Sequence, residues 1–105
     1  MDSIASRQNL ALSLVRALWG EVHPELRQAS IEADESAFVV RLRFEYDGAA
    51  EGPAQESCSC AAAEVIADFP APWDLDEQHV AAPLPGPLHS LTHLVYRRWE
   101  PDSAA

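Results

Sequence analysis

Five large apolar residues, Phe38, Val40, Leu42, Phe44 and Tyr46, recur at every second position of one short stretch. Between them stand Val39, Arg41, Arg43 and Glu45. Side chains of an extended chain point alternately to opposite faces, so this spacing predicts a strand with one apolar and one charged face. A sheet built on such a strand is expected to bury one side only. The preceding residues 27–33 alternate in the same way, with Ala29, Ile31 and Ala33 on one side. Asp34-Glu35-Ser36 makes a short polar turn, and residues 37–46 form the second arm of the hairpin.

Two amphipathic helices are available to cover the apolar face. Residues 3–19 read as the first helix, with Ile4, Ala11, Leu14, Val15 and Leu18, and Val22 just beyond, at helical spacing, and Leu10 and Leu12 widening the apolar surface. Ser3 is the expected N-cap, Gly20 the stop, and Pro24 blocks continuation. After a loop at 47–53, residues 54–68 form the second helix. Cys58, Ala61, Ala62, Val65, Ile66 and Phe69 share one face, and Pro70 and Pro72 end it. A third strand is expected at about 76–81. Pro83-Leu84-Pro85-Gly86-Pro87 is a turn-rich loop, and residues 92–99, around Leu94-Val95-Tyr96, read as a last strand. The chain is one domain, 1–105, with its core at about 3–100 and a frayed tail at 101–105. The order αββαββ predicts an α+β two-layer sandwich, an antiparallel sheet with both helices on one face.

Charge narrows the function. Seven Arg and no Lys oppose seventeen acidic residues, a net charge of −10. Phosphate neutralisation needs basic side chains, so a nucleic-acid binder is excluded, as is a polybasic membrane-surface protein. Between Arg43 and Arg97 there are nine acids and no base. Such a run is either a solvated surface kept soluble by like charge or a field that steers a basic partner. No segment is long and apolar enough to span a bilayer, and Met1-Asp2-Ser3 opens no secretory signal. The expected compartment is the cytoplasm.

The residues that could carry chemistry are not arranged to do so. Cys58 and Cys60 are two apart on a helix and point about 200° from each other, so they cannot share a metal ion. Cys58 belongs to the core stripe. His89 and His93 would suit a metal only on a helix, and Pro87 precedes them. His79 stands alone. No nucleophile elbow or phosphate-binding glycine loop occurs. No catalytic residue, metal or cofactor is expected. Glu64 and Asp68 lie on the solvent side of the second helix, closely followed by Trp73, Asp74, Asp76 and Glu77. A Trp among carboxylates has the composition of an interface anchor with a charged rim, or of a lid on the core.

Several segments carry a resemblance: Pro24-Glu25-Leu26-Arg27, Ala29-Ser30-Ile31, Leu42-Arg43-Phe44-Glu45-Tyr46-Asp47-Gly48, Ala63-Glu64-Val65-Ile66-Ala67-Asp68-Phe69 and Val95-Tyr96-Arg97-Arg98. With them the chain resembles small immunity proteins of bacterial contact-dependent growth inhibition and related polymorphic toxin systems, over about residues 5–100. The resemblance implies a protein that binds and blocks the toxic C-terminal domain of a large exported protein, with no catalysis of its own. Its motifs are mostly strand cores and a helix face. The expected contact residues are Glu64, Asp68, Trp73, Asp74, Asp76 and Glu77, and a basic toxin such as a nuclease would suit them. The competing expectations are an accessory or structural subunit working through the open sheet face, and a small enzyme built on His79, His89 or His93.

Overall fold

The computed structural model describes residues 4–101. Its elements are α1 (Arg7–Leu18), β1 (Leu26–Asp34), β2 (Val39–Tyr46), α2 (Gly52–Ala67), β3 (Asp74–Ala81) and β4 (His93–Arg97). One sheet in the order β3-β2-β1-β4 is backed by both helices. The expected α+β sandwich is therefore the fold. The pairing differs in one place. β1 is antiparallel to β2 and to β4, but β3 runs parallel to β2. The cause is α2. A helix between two neighbouring strands carries the chain back to the end where it started, so the sheet is mixed rather than wholly antiparallel.

Ala29, Ile31, Val40, Leu42, Phe44 and Tyr46 are fully buried beneath the helices. α2 meets them with Ala54, Cys58, Ala61, Ala62 and Val65. α1 begins at Arg7, where the Ser6 hydroxyl accepts from the Asn9 amide at 3.2 Å. The expected cap, Ser3, lies outside the described residues. The core side of α1 is also rotated from the expected one. Leu10, Leu14, Ala17 and Leu18 are buried, whereas Val15 and Val22 are exposed. Periodicity alone could not choose, because α1 is apolar around most of its circumference.

Phe38, expected to open the apolar face of β2, lies in the turn instead. Its φ is +54°, and the Asp74 amide donates to its carbonyl at 2.8 Å. Its ring meets Trp73 edge-on, with centroids 5.5 Å apart.

The second face of the sheet is less open than its charge pattern predicts. Residues 82–92 fold across it, and polar side chains of β1 and β2 hold their backbone. Arg27 donates to the carbonyls of Ala82 (2.6 Å) and Gly86 (2.9 Å). Glu45 accepts from the His89 amide at 2.7 Å and from the Gln28 side chain at 2.9 Å. Ser30 accepts from the Leu91 amide at 2.9 Å, and Glu32 accepts from both amide and hydroxyl of Thr92. A proline-rich loop makes few backbone bonds to itself, so these side chains satisfy it. Arg27, Gln28, Ser30 and Glu45 are buried as a result.

The last strand is fastened by a second cluster. Arg27 clasps Glu100 through two bonds of 2.7 and 2.8 Å. Arg98 joins Glu100 at 2.9 Å, Asp47 at 3.0 Å and the Pro24 carbonyl at 2.7 Å. The fold is thus pinned up to Glu100. Of the expected tail, residues 102–105 lie outside the described residues.

Candidate functional site

α2 presents Glu56, Cys60, Ala63, Glu64 and Ala67 to solvent. Glu56 and Glu64 lie two turns apart on this row, separated by small side chains that leave the helix surface flat. Neither carboxylate makes an ion pair or hydrogen bond among the described residues. Asp68 ends the row as the C-cap of α2. A carboxylate is disfavoured at a helix C-terminus, where the backbone dipole is negative. Ser13 donates to it at 2.6 Å and Arg16 lies 3.7 Å away, so α1 offsets that cost and Asp68 ties the two helices together.

Beyond Asp68 the chain turns through Phe69 to Trp73. Trp73 is half-buried, tilted on Phe69 with centroids 5.5 Å apart and edge-on to Phe38 at the same separation. It is therefore both a lid on the core and part of an exposed aromatic step, because Phe38 is itself 44% exposed. Asp74, next along, is exposed, and its carboxylate is unpaired among the described residues.

The remaining two acids of the expected set go elsewhere. Successive residues of β3 point to opposite faces. Asp76 stands on the second face of the sheet, paired with Arg41 at 3.3 Å. Glu77 points to the helix side and accepts from His79 Nε2 at 2.8 Å. The other ring nitrogen, Nδ1, lies within hydrogen-bond distance of the Tyr46 hydroxyl at 2.7 Å. Phe44 stacks on the same imidazole with centroids 5.3 Å apart and planes 15° off parallel. His79 is thus held on both nitrogens and one face. Burial pushes the Tyr46 phenol above its usual range and the Cys58 thiol up to about 11. Glu64, Asp68, Trp73 and Asp74 follow one another around the α2 end of the molecule, while Asp76 and Glu77 are engaged within the fold.

The other titratable groups are dispersed. Cys58 is buried and Cys60 exposed. His89 lies in the loop and His93 on β4. Among the described residues, no group of three or more His, Cys, Asp or Glu is placed to hold a metal ion. No helix among them is long and apolar enough to cross a membrane. A cleft of about 520 Å³ lies between the proline loop and Arg97–Pro101, and its Glu100 is already neutralised by Arg27 and Arg98.

Glu56 shares the row of Glu64 at a separation of eight, which helical spacing in the sequence already gives. Phe38 was hidden because strand alternation assigned it to the core.

The fold is a small α+β sandwich whose seventeen acidic residues outnumber its seven arginines. The chain belongs to the MafI2 immunity protein family, whose model matches residues 7–100. No curated protein matches it. Membership places the chain among proteins that bind a cognate toxin protein and neutralise it.

Proposed function

We propose that the protein neutralises its toxin through the outward row of α2 and the aromatic step beside it. Glu56, Glu64 and Asp74 form the charged part, and Trp73 with Phe38 forms the anchor. The supporting observation is that these three carboxylates make no bond within the described chain, whereas Asp47, Asp68, Asp76 and Glu100 are each held by an arginine. A carboxylate with no internal partner is available to an external one. The occupant is then a basic toxin domain, of the kind carried at the C-terminus of an exported protein. A nuclease has such a surface because its substrate is a polyanion. A complex formed in the cytoplasm of the producing cell blocks that cleft without any catalysis. Asp76 and Glu77 add to the long-range field but are committed to Arg41 and His79. Asp68 contributes at the edge while holding the helices.

The test uses a cognate toxin domain, sought among the genes adjoining that of this chain. Glu56→Gln, Glu64→Gln and Asp74→Asn are combined, and association is followed by stopped flow against salt. Rim carboxylates act mostly on encounter, so k_on should fall about tenfold or more at low salt and lose much of its salt dependence. An unchanged k_on and undiminished protection in co-expression would overturn this assignment.

A further inference from the structure

The two edges of the sheet are built differently. β4 forms one edge with five residues, and its register with β1 shifts between Ala29 and Ser30. β3 forms the other with eight residues, and it pairs with β2 from Val39 and Asp74 to Tyr46 and Ala81 without a shift. Short strands, bulges, prolines and lysines are the usual devices that keep an edge from pairing with another chain. β4 has the first two, whereas β3 has none of them.

The direction of the β3 amides follows from its two ends. The Asp74 amide donates to the Phe38 carbonyl at 2.8 Å, and the Ala82 amide, just past the strand, donates to the Tyr46 carbonyl at 2.8 Å. Amides alternate in direction along a strand. Those of Asp76, Gln78 and Val80 therefore also face β2, and those of Leu75, Glu77, His79 and Ala81 face outward. Among the described residues no strand pairs with that outer side, and every residue of β3 is at least partly exposed.

We propose that this edge takes a strand of the toxin, one with basic side chains at alternate positions, as a fifth strand of the sheet. The inference rests on the toxin-binding reading above and adds how the partner is held. Charge selects the occupant. β3 carries Asp74, Asp76 and Glu77 and no Arg or Lys. Two copies joined edge to edge would set these acids against each other, so a second copy is opposed. Asp74 and Asp76 project to the second face of the sheet. There the Asp74 carboxylate is unpaired among the described residues, and the Asp76 side chain remains 45% exposed beside Arg41. Residues on one face of a strand are two apart, so cations at alternate positions of an added strand fall beside this pair. The edge also continues the proposed site, because Trp73 runs directly into Asp74, the first residue of β3. Main-chain bonds to the outward groups supply affinity, and the alternate side chains supply specificity.

Amide exchange of the full chain, free and bound to a cognate toxin domain, read residue by residue by NMR, tests this. In the free protein the amides of Leu75, Glu77, His79 and Ala81 should exchange fast, and those of Asp76, Gln78 and Val80 slowly. In the complex the first set should slow about tenfold or more. Ala81→Pro removes one outward donor and no bond to β2, so its thermal melt should match the wild type while Kd rises about three- to tenfold. Should that variant melt early, the exchange pattern decides alone. A complex whose outward amides exchange as fast as in the free protein overturns the proposal, as does an unchanged Kd in a folded Ala81→Pro. If the combined Glu56, Glu64 and Asp74 variant still slows association in that case, the toxin site stands and the edge alone is struck. A chain that binds no cognate domain would sink both.

Discussion

Replacing Glu100 by Gln probes the cluster that fastens the end of the chain. Its carboxylate accepts from Arg27 Nε at 2.7 Å, Arg27 Nη2 at 2.8 Å and Arg98 Nη2 at 2.9 Å. The side chains of Arg27 and Glu100 are only 4% and 11% exposed, so solvent screens the pair little. Hydrogen bonds from Arg27 foremost, then those from Arg98 and the attraction of both charges, outweigh burial and hold the Glu100 carboxyl at about 2 against an ordinary 4.5. That difference corresponds to about 3 kcal/mol favouring the folded state at neutral pH, and solvent at the rim reduces it to roughly 2 kcal/mol. A depressed folded-state value stabilises fully above the unfolded value. The contribution is therefore complete above pH 4.5 and is lost as pH falls toward about 2. Gln keeps the shape and one acceptor but leaves Arg27 buried without a counter-charge. Urea unfolding of both proteins at several pH values gives the difference curve. Glu100→Gln should be less stable by about 2 kcal/mol at neutral pH, and the two should converge as the medium is acidified. Because Glu32 and Asp47 are also held below their usual range and titrate in both proteins, only the difference isolates Glu100. A gap that stays constant on acidification, or no gap at neutral pH, would refute the reasoning.

Leu42→Ala opens a cavity at the centre of the fully buried face of β2 and should cost about 2–5 kcal/mol in the same urea assay, with a smaller loss showing that the helices collapse onto the gap. Native alkylation followed by mass spectrometry should modify Cys60 at once and Cys58 only in denaturant, since Cys58 is buried and its thiol is raised to about 11; equal rates would place Cys58 outside the core.

Much of the fold was legible because alternation and helical spacing are local consequences of backbone geometry. The run from Val40 to Tyr46 and the row from Cys58 to Val65 needed no distant information to identify which side turns inward. Where a segment is apolar on both sides, the same reasoning fails. The stripe Leu12, Val15 and Trp19 and the row Leu10, Leu14 and Leu18 are equally regular, and only the position of the sheet selects the second as core. Phe38 continued the strand pattern by one step too many, because a pattern of side chains carries no mark for the residue at which φ becomes positive.

The acidic surface divides in the same manner. Composition alone determined that this chain repels polyanions and attracts bases, since net charge survives any folding. Which carboxylates remain free was decided by tertiary contacts. Asp76 reaches Arg41 across a parallel strand pair, Glu100 reaches Arg27 over a separation of 73 residues, and Glu45 is buried by a loop that the sequence shows only as prolines. Hydropathy periodicity registers a residue's neighbours along the chain, whereas an ion pair depends on what folding brings within about 4 Å of it.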